Sequence, residues 1–197
     1  AKKILDELID DIGRNVFTKP DIIVELHVMG EPMLHPQIFD IISYAESHGI
    51  HIYLVTNGSL LTDKNIEKLF ASQLSYLVIS YQTPNEGSFK ERRANNITFD
   101  QYQSHIYEVI RKKVQHKTLK TDVHIHLLNT KDFRPRDAHC VDSASDAVDV
   151  FDELNEYAQK LCLEFGQNFD GHFLADCNKE NMLDQPMEHL YQLLPGV

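Results

Sequence analysis

This sequence predicts an α/β fold in which helices pack outside a parallel sheet, and two observations predict it. Short apolar, β-branched runs alternate with amphipathic segments of helical period, and each connection between successive runs is long enough to hold a helix. A third observation bears on function. Three of the runs end in turn-forming clusters, and such folds bind ligands at the C-terminal ends of their strands.

The elements follow in order. Residues 3–14 place Ile4, Leu5, Leu8, Ile9 and Ile12 on one helical stripe. Residues 21–29 form a mostly apolar run suited to a buried parallel strand. Pro36 opens a helix reaching His48, with Gly49 as its C-terminal cap. Residues 50–55 are the next strand, and Thr62 caps a helix over residues 65–71. Residues 74–80 are the third strand.

A longer connection, residues 81–97, leads to Thr98-Phe-Asp-Gln101, a capping-box pattern. The helix it opens carries Tyr102, Ile106, Val109 and Ile110 on one face. Residues 123–128 make a fourth strand, and Ser145 caps a helix reaching about Lys160. A further strand is expected near Leu163, and residues 166–197 read as an irregular C-terminal extension. No internal repeat, low-complexity tract or linker divides the chain, so residues 1–197 read as one domain. The order of elements is compatible with a full barrel, a partial barrel or an open doubly wound sheet.

Composition narrows the function classes. Hydrophobic residues make up 42% and charged residues 25% of the chain, as in ordinary globular proteins. The net charge of −11 disfavours a phosphate-backbone surface, so no nucleic-acid partner is expected. The notable basic groups are Lys90, Arg92 and Arg93, then Arg111, Lys112 and Lys113. The second group falls at a helix C-terminus, where cations complement the dipole, and reads as a solvated cap.

No apolar run reaches bilayer length, and the first ten residues lack a signal-peptide layout, so a cytoplasmic protein without a membrane partner is expected. Cys140, Cys162 and Cys177 are scattered without a CxxC pair. A zinc or iron–sulfur site made by this chain alone is not expected.

Three strand ends carry the chemistry. In Met29-Gly-Glu-Pro-Met-Leu-His-Pro36, Gly30 permits close backbone approach or unusual dihedrals. Glu31 adds a carboxylate there, and Pro32 stiffens the turn. The result is a rigid loop whose carbonyls can face an ammonium group. In Val55-Thr-Asn-Gly-Ser-Leu-Leu61, Asn57-Gly58 is a turn signal whose amide can bind a hydroxyl pair. In Val78-Ile-Ser-Tyr-Gln-Thr-Pro84, Ser80 can donate and accept in a pocket, and Arg92 or Arg93 beyond it can meet a carboxylate. Each segment taken singly also reads as an ordinary loop.

Taken together and in this spacing, the three segments resemble the radical S-adenosylmethionine (radical SAM) superfamily over residues 21–113. Gly30-Glu31-Pro32 with Leu34-His35-Pro36 is similar to the family's "GEP" motif. Asn57 and Gly58 look like its Thr-Asn-Gly, and Ser80 falls where members contact the cofactor's ribose. Residues 84–93 resemble its Arg-containing connection.

The resemblance implies a partial parallel (β/α) barrel of the radical SAM type. It implies S-adenosylmethionine and a [4Fe-4S] cluster as cofactors, and a 5′-deoxyadenosyl radical that abstracts hydrogen from a substrate. Gly30, Glu31 and Pro32 would hold the cofactor's amino group, with Ser80 and Asn57 at its ribose. Arg92 and His126 are the substrate-binding candidates. The implied partners are a small-molecule or peptide substrate and an external electron donor.

The sequence departs from the family at its start. The family's CxxxCxxC cluster loop, which precedes the helix matched by residues 3–14, is not found, nor is the strand before it. The chain therefore reads as a core-domain fragment, inactive alone, whose strand around Val24 would lack a neighbour and leave an open edge. A further auxiliary-cluster domain beyond Val197 is expected by analogy.

Two competing readings remain. His124-Ile-His126 puts two imidazoles on one face of a strand. With His27, His35 and an acidic residue these can form the zinc centre of a barrel hydrolase. The simpler reading has His124 and His126 facing a helix or solvent, and His35 packing at the start of its helix. Alternatively, the domain is a non-catalytic binding scaffold whose acidic residues 142–156 meet a partner.

Overall fold

The computed structural model describes residues 2–14, 22–26, 30–81, 85–91, 97–116, 119–127 and 143–165. Its centre is a four-stranded sheet of β1 (Ile22–Leu26), β2 (Ile50–Thr56), β3 (Tyr76–Tyr81) and β4 (Asp122–Leu127). All neighbouring pairs are parallel, and the spatial order β1-β2-β3-β4 repeats the chain order. A doubly wound sheet reverses direction at a switch point, whereas a barrel wall grows one strand at a time. The observed order is that of a partial barrel. At either side β1 and β4 are the edges among the described residues.

Alternation along the strands separates two faces. Ile50, Ile52, Leu54 and Thr56 of β2 are buried, while His51, Tyr53 and Val55 between them are only partly so. In β3 and β4 the matching buried positions are Leu77, Ile79, Tyr81, Val123 and Ile125. These side chains meet the helices in one hydrophobic core. The opposite, inner face carries Tyr76, Val78, Ser80, His124 and His126.

The helices form where their caps and stripes require. Helix α1 (Lys2–Gly13) turns Leu5, Leu8, Ile9 and Ile12 toward the core. Ile4, expected on that stripe, is 69% exposed. At 100° per residue it falls outside the arc centred on Leu5.

Helix α2 (Ile38–Ser47) starts later than Pro36, because a 3-10 turn at Pro32–Leu34 precedes it. His35 does not pack there. It is exposed, and its Nδ1 accepts from Gln37 N–H at 3.2 Å. Gly49 ends α2 with φ +77°, as its cap role predicts.

Thr62 caps α3 (Asp63–Ala71) by accepting from Asn65 N–H. The longer connection after β3 contains the short helix α4 (Glu86–Glu91). Helix α5 (Phe99–Gln115) opens with the predicted reciprocal pair: Thr98 N–H donates to Gln101 Oε1 at 3.0 Å and Gln101 N–H to Thr98 Oγ1 at 3.2 Å. It buries Tyr102, Ile106, Val109, Ile110 and Val114. The basic residues near its end pair with acids, Arg111 with Glu108 and Lys112 with Glu67.

Helix α6 (Ser143–Glu164) overturns two expectations. It begins before Ser145, and it includes Leu163, where a strand was expected. Leu154, Ala158, Leu161 and Cys162 are buried at helical spacing, which leaves Leu163 on the far side, 82% exposed. Residues 166–197 lie outside the described residues.

Candidate functional site

Parallel strands end on the same edge of a sheet, so the C-terminal ends of β1 to β4 share one rim. Gly30 lies just past β1, Asn57 follows β2 directly, Ser80 is the penultimate residue of β3 and His126 that of β4. Ser80 is in register with His126. Asn57 and Ser80 are each one residue beyond the paired Thr56 and Ile79. Since Ile79 faces the helices, alternation within β3 turns Ser80 toward the inner side.

One carboxylate joins the first two strand ends. Glu31 Oε1 accepts from Met33 N–H at 3.0 Å and from the Thr56 hydroxyl at 2.8 Å. Its Oε2 accepts from Asn57 N–H at 2.7 Å. Thr56 Oγ1 in turn accepts from Gly58 N–H at 3.2 Å. The loop after β1 is thereby bonded to the turn after β2.

The two rim glycines serve different purposes. Gly30, exposed and at φ +94°, has no heavy atom within 4 Å of the place a Cβ would occupy. Its backbone is open to an approaching group. Gly58, at φ +80°, is buried under α5. Asn57 Oδ1 closes the turn around Gly58 by accepting from Ser59 N–H at 2.9 Å, while Asn57 itself stays exposed.

Below the rim, the inner face mixes aromatic and imidazole side chains with Val55 and Val78. Tyr53 and Tyr76, paired in register, have ring centroids 5.9 Å apart. His124 pairs with Val78 and lies one step down from His126. Tyr81 points the other way, stacking on Tyr102 at 5.3 Å, and burial pushes its hydroxyl well above the ordinary tyrosine range. Burial also lowers the His105 imidazole, against an opposing pull from Asp63, so this histidine of α5 favours its neutral form.

Of the candidates read from sequence, the structure gathers Gly30, Glu31, Pro32, Asn57, Ser80 and His126 on one rim. Arg92, Arg93 and His27 lie outside the described residues, as do Cys140 and Cys177. Among the described residues, no group of three or more His, Cys, Asp or Glu is arranged to hold a metal ion. Cys162 is buried in α6. No helix among the described residues is long and apolar enough to cross a membrane.

Two contributors were not singled out from sequence. Thr56 bridges Glu31 to Gly58, and its signal was a hydroxyl at the end of the otherwise apolar face Ile50, Ile52, Leu54. Tyr102 packs beneath Gly58 and had no signal beyond its place on an apolar stripe.

Comparison with known proteins decides the family. The radical SAM superfamily matches residues 2–134, well over half of the chain. The chain belongs to the radical SAM superfamily. It is 34% identical over 112 residues to the AdoMet-dependent heme synthase of Methanosarcina barkeri (strain Fusaro / DSM 804), a match covering 57% of this chain and 29% of that protein. Among solved structures, TYW1 with a lysine-pyruvate adduct bound aligns with a TM-score of 0.48 and 20% identity, over 80% of this chain and 49% of that one. An archaeal TYW1 aligns at 0.44 and 18%, over 83% and 57%. The chain thus spans under a third of the curated relative and about half of each solved structure.

Radical SAM enzymes use S-adenosylmethionine and a [4Fe-4S] cluster. The rim fits the first, with an open glycine backbone beside an exposed amide and a hydroxyl on adjacent strand ends. For the cluster, no ligand set is found among the described residues, and no step is assigned to it.

Proposed function

We propose that the C-terminal rim binds S-adenosylmethionine and that the full-length protein performs hydrogen abstraction. In this reading the main-chain atoms of Gly30, Glu31 and Pro32 receive the cofactor's amino group. Ser80 and Asn57 meet the ribose hydroxyls, and His126, in register with Ser80, faces the substrate together with Arg92. With a cluster and one electron from an external donor, the bound cofactor would supply reductive cleavage of its C5′–S bond and, through it, hydrogen abstraction from the substrate. The chain's own part is to orient these groups.

The substrate proposed is a small molecule or a peptide, and the cluster ligands are proposed to lie outside this sequence. The site of action proposed is the cytoplasm. The observation that carries the reading is the 2.7 Å bond from Asn57 N–H to Glu31, which brings the first two motif segments together at the edge where β3 ends, one residue past Ser80. The zinc-hydrolase reading has no comparable support, because no third ligand joins His124 and His126 among the described residues.

Calorimetric titration of S-adenosylmethionine into the full-length protein tests the proposal. Saturable binding is expected for the wild type, with no detectable binding for Gly30→Val. Equal affinity in the two proteins overturns the site assignment.

A further inference from the structure

We infer that Glu31 is a positioning residue: its carboxylate locks the loop after β1 to the turn after β2, and it acts on a ligand through Asn57 and the loop backbone. An ionised carboxylate offers about four acceptor positions. Three are already used within the protein, by Met33 N–H, the Thr56 hydroxyl and Asn57 N–H at 2.7–3.0 Å. A side chain reaching outward to an ammonium group would be bonded to solvent in the absence of ligand. Glu31 instead turns back onto β2 and is only partly exposed.

The bond to Asn57 spans 26 positions in sequence, so it couples two loops that the strands alone leave independent. Gly30 then presents its backbone on the open side of the loop, at φ +94° and with clear space beside it. The carboxylate sets where that backbone stands relative to Asn57.

The chemistry of the three donors makes the test sharp. In Glu31→Gln the amide oxygen still accepts from Met33 and Thr56, but the amide nitrogen faces Asn57 N–H, donor against donor. Amide hydrogen exchange on the ligand-free, full-length protein is expected to speed up at Asn57 by about tenfold or more, on the order of one lost hydrogen bond. Met33 stays protected in Glu31→Gln and loses protection in Glu31→Ala. Ile52 and Ser75, whose amides bond to Glu46 at the other edge of the sheet, remain unchanged and exclude general loosening. Thr56→Val removes one donor at nearly constant volume and should speed exchange at Asn57 more mildly.

The ligand arm rests on the proposed S-adenosylmethionine reading. Glu31→Gln is expected to weaken S-adenosylmethionine and its analogue lacking the α-amino group by the same factor. Loss of S-adenosylmethionine affinity alone, with unchanged exchange at Asn57, overturns the inference and makes Glu31 a direct ammonium ligand. If the wild type binds neither compound, the proposed function fails, and exchange at Asn57 by itself decides the role of Glu31.

Discussion

Gly58 approaches Tyr102 so closely that a Cβ built on the glycine would stand 2.9 Å from Tyr102 Cε2. The turn that presents Asn57 therefore rests on the ring of α5, and only a residue without a side chain fits between them. The same ring stacks on Tyr81 and meets Phe89 at 5.2 Å, so it has little room to retreat.

Gly58→Ala is expected to destabilise the protein by about 2–4 kcal/mol, combining overpacking with a left-handed backbone at φ +80°. Gly30→Ala meets no atom and bears only the backbone strain, about 1 kcal/mol. Urea unfolding of the two variants side by side measures the difference.

The opposite edge of the sheet has its own carboxylate. Glu46, at the end of α2, accepts from Ile52 N–H and Ser75 N–H at 2.8 Å through Oε1. Its Oε2 accepts from the Ser75 hydroxyl at 2.8 Å and Lys120 at 3.0 Å. Burial by itself raises its pKa, but the bonds from Ile52, Ser75 and Lys120 outweigh it, and the net direction is downward from 4.5.

Because the folded value lies below the unfolded one, the stabilisation is fully present above about pH 4.5 and fades as pH falls through the folded value. Glu46→Ala should cost about 3–5 kcal/mol at pH 7 by leaving buried donors unpaired. Denaturation curves of both proteins from pH 7 to pH 3 should show that gap narrowing below the ordinary glutamate range.

Ser80 and His126 are neighbours in register with separate proposed duties. Ser80→Ala should weaken S-adenosylmethionine about tenfold, the value of roughly one hydrogen bond. His126→Ala should leave that affinity within about twofold, a shift of under ~0.5 kcal/mol. It should lower kcat/KM for the natural substrate. Calorimetry and steady-state kinetics on the full-length protein separate the two effects.

Leu161 and Leu163 test the course of α6. Leu161 is 6% exposed and Leu163 82%. Leu161→Ala should cost about 2–4 kcal/mol, and Leu163→Ala should fall within ~0.5 kcal/mol of wild type. Thermal unfolding of both variants checks the assignment. A strand at this point would not put residues two apart on such different surroundings, because its side chains repeat every second position.

Much of the fold was legible from local signals. Thr62 and Thr98 marked helix starts because a hydroxyl must satisfy amides left bare by the first turn. The stretch before α2 misled, since Pro36 suits a helix start, yet the 3-10 turn at Pro32–Leu34 came first. Its reason is not local: Glu31 both caps that turn and bonds to β2, 25 and 26 residues further on. Leu163 misled for a similar reason. A short apolar run at the end of a helix reads as a strand until its neighbours show which side is covered.

By itself the sequence determined the alternation of strands and helices, the caps at Thr62, Thr98 and Gly49, and the three turn-forming segments that place this chain among radical SAM proteins. Hydrophobic period and capping chemistry act over a few residues, so they are written where they act. Tertiary structure alone decided that β1 to β4 lie in chain order, that Glu31 bonds across to Asn57, and that Tyr102 supports Gly58. Those relationships join residues far apart in the chain, and they exist only once parallel pairing has brought the strand ends to one edge.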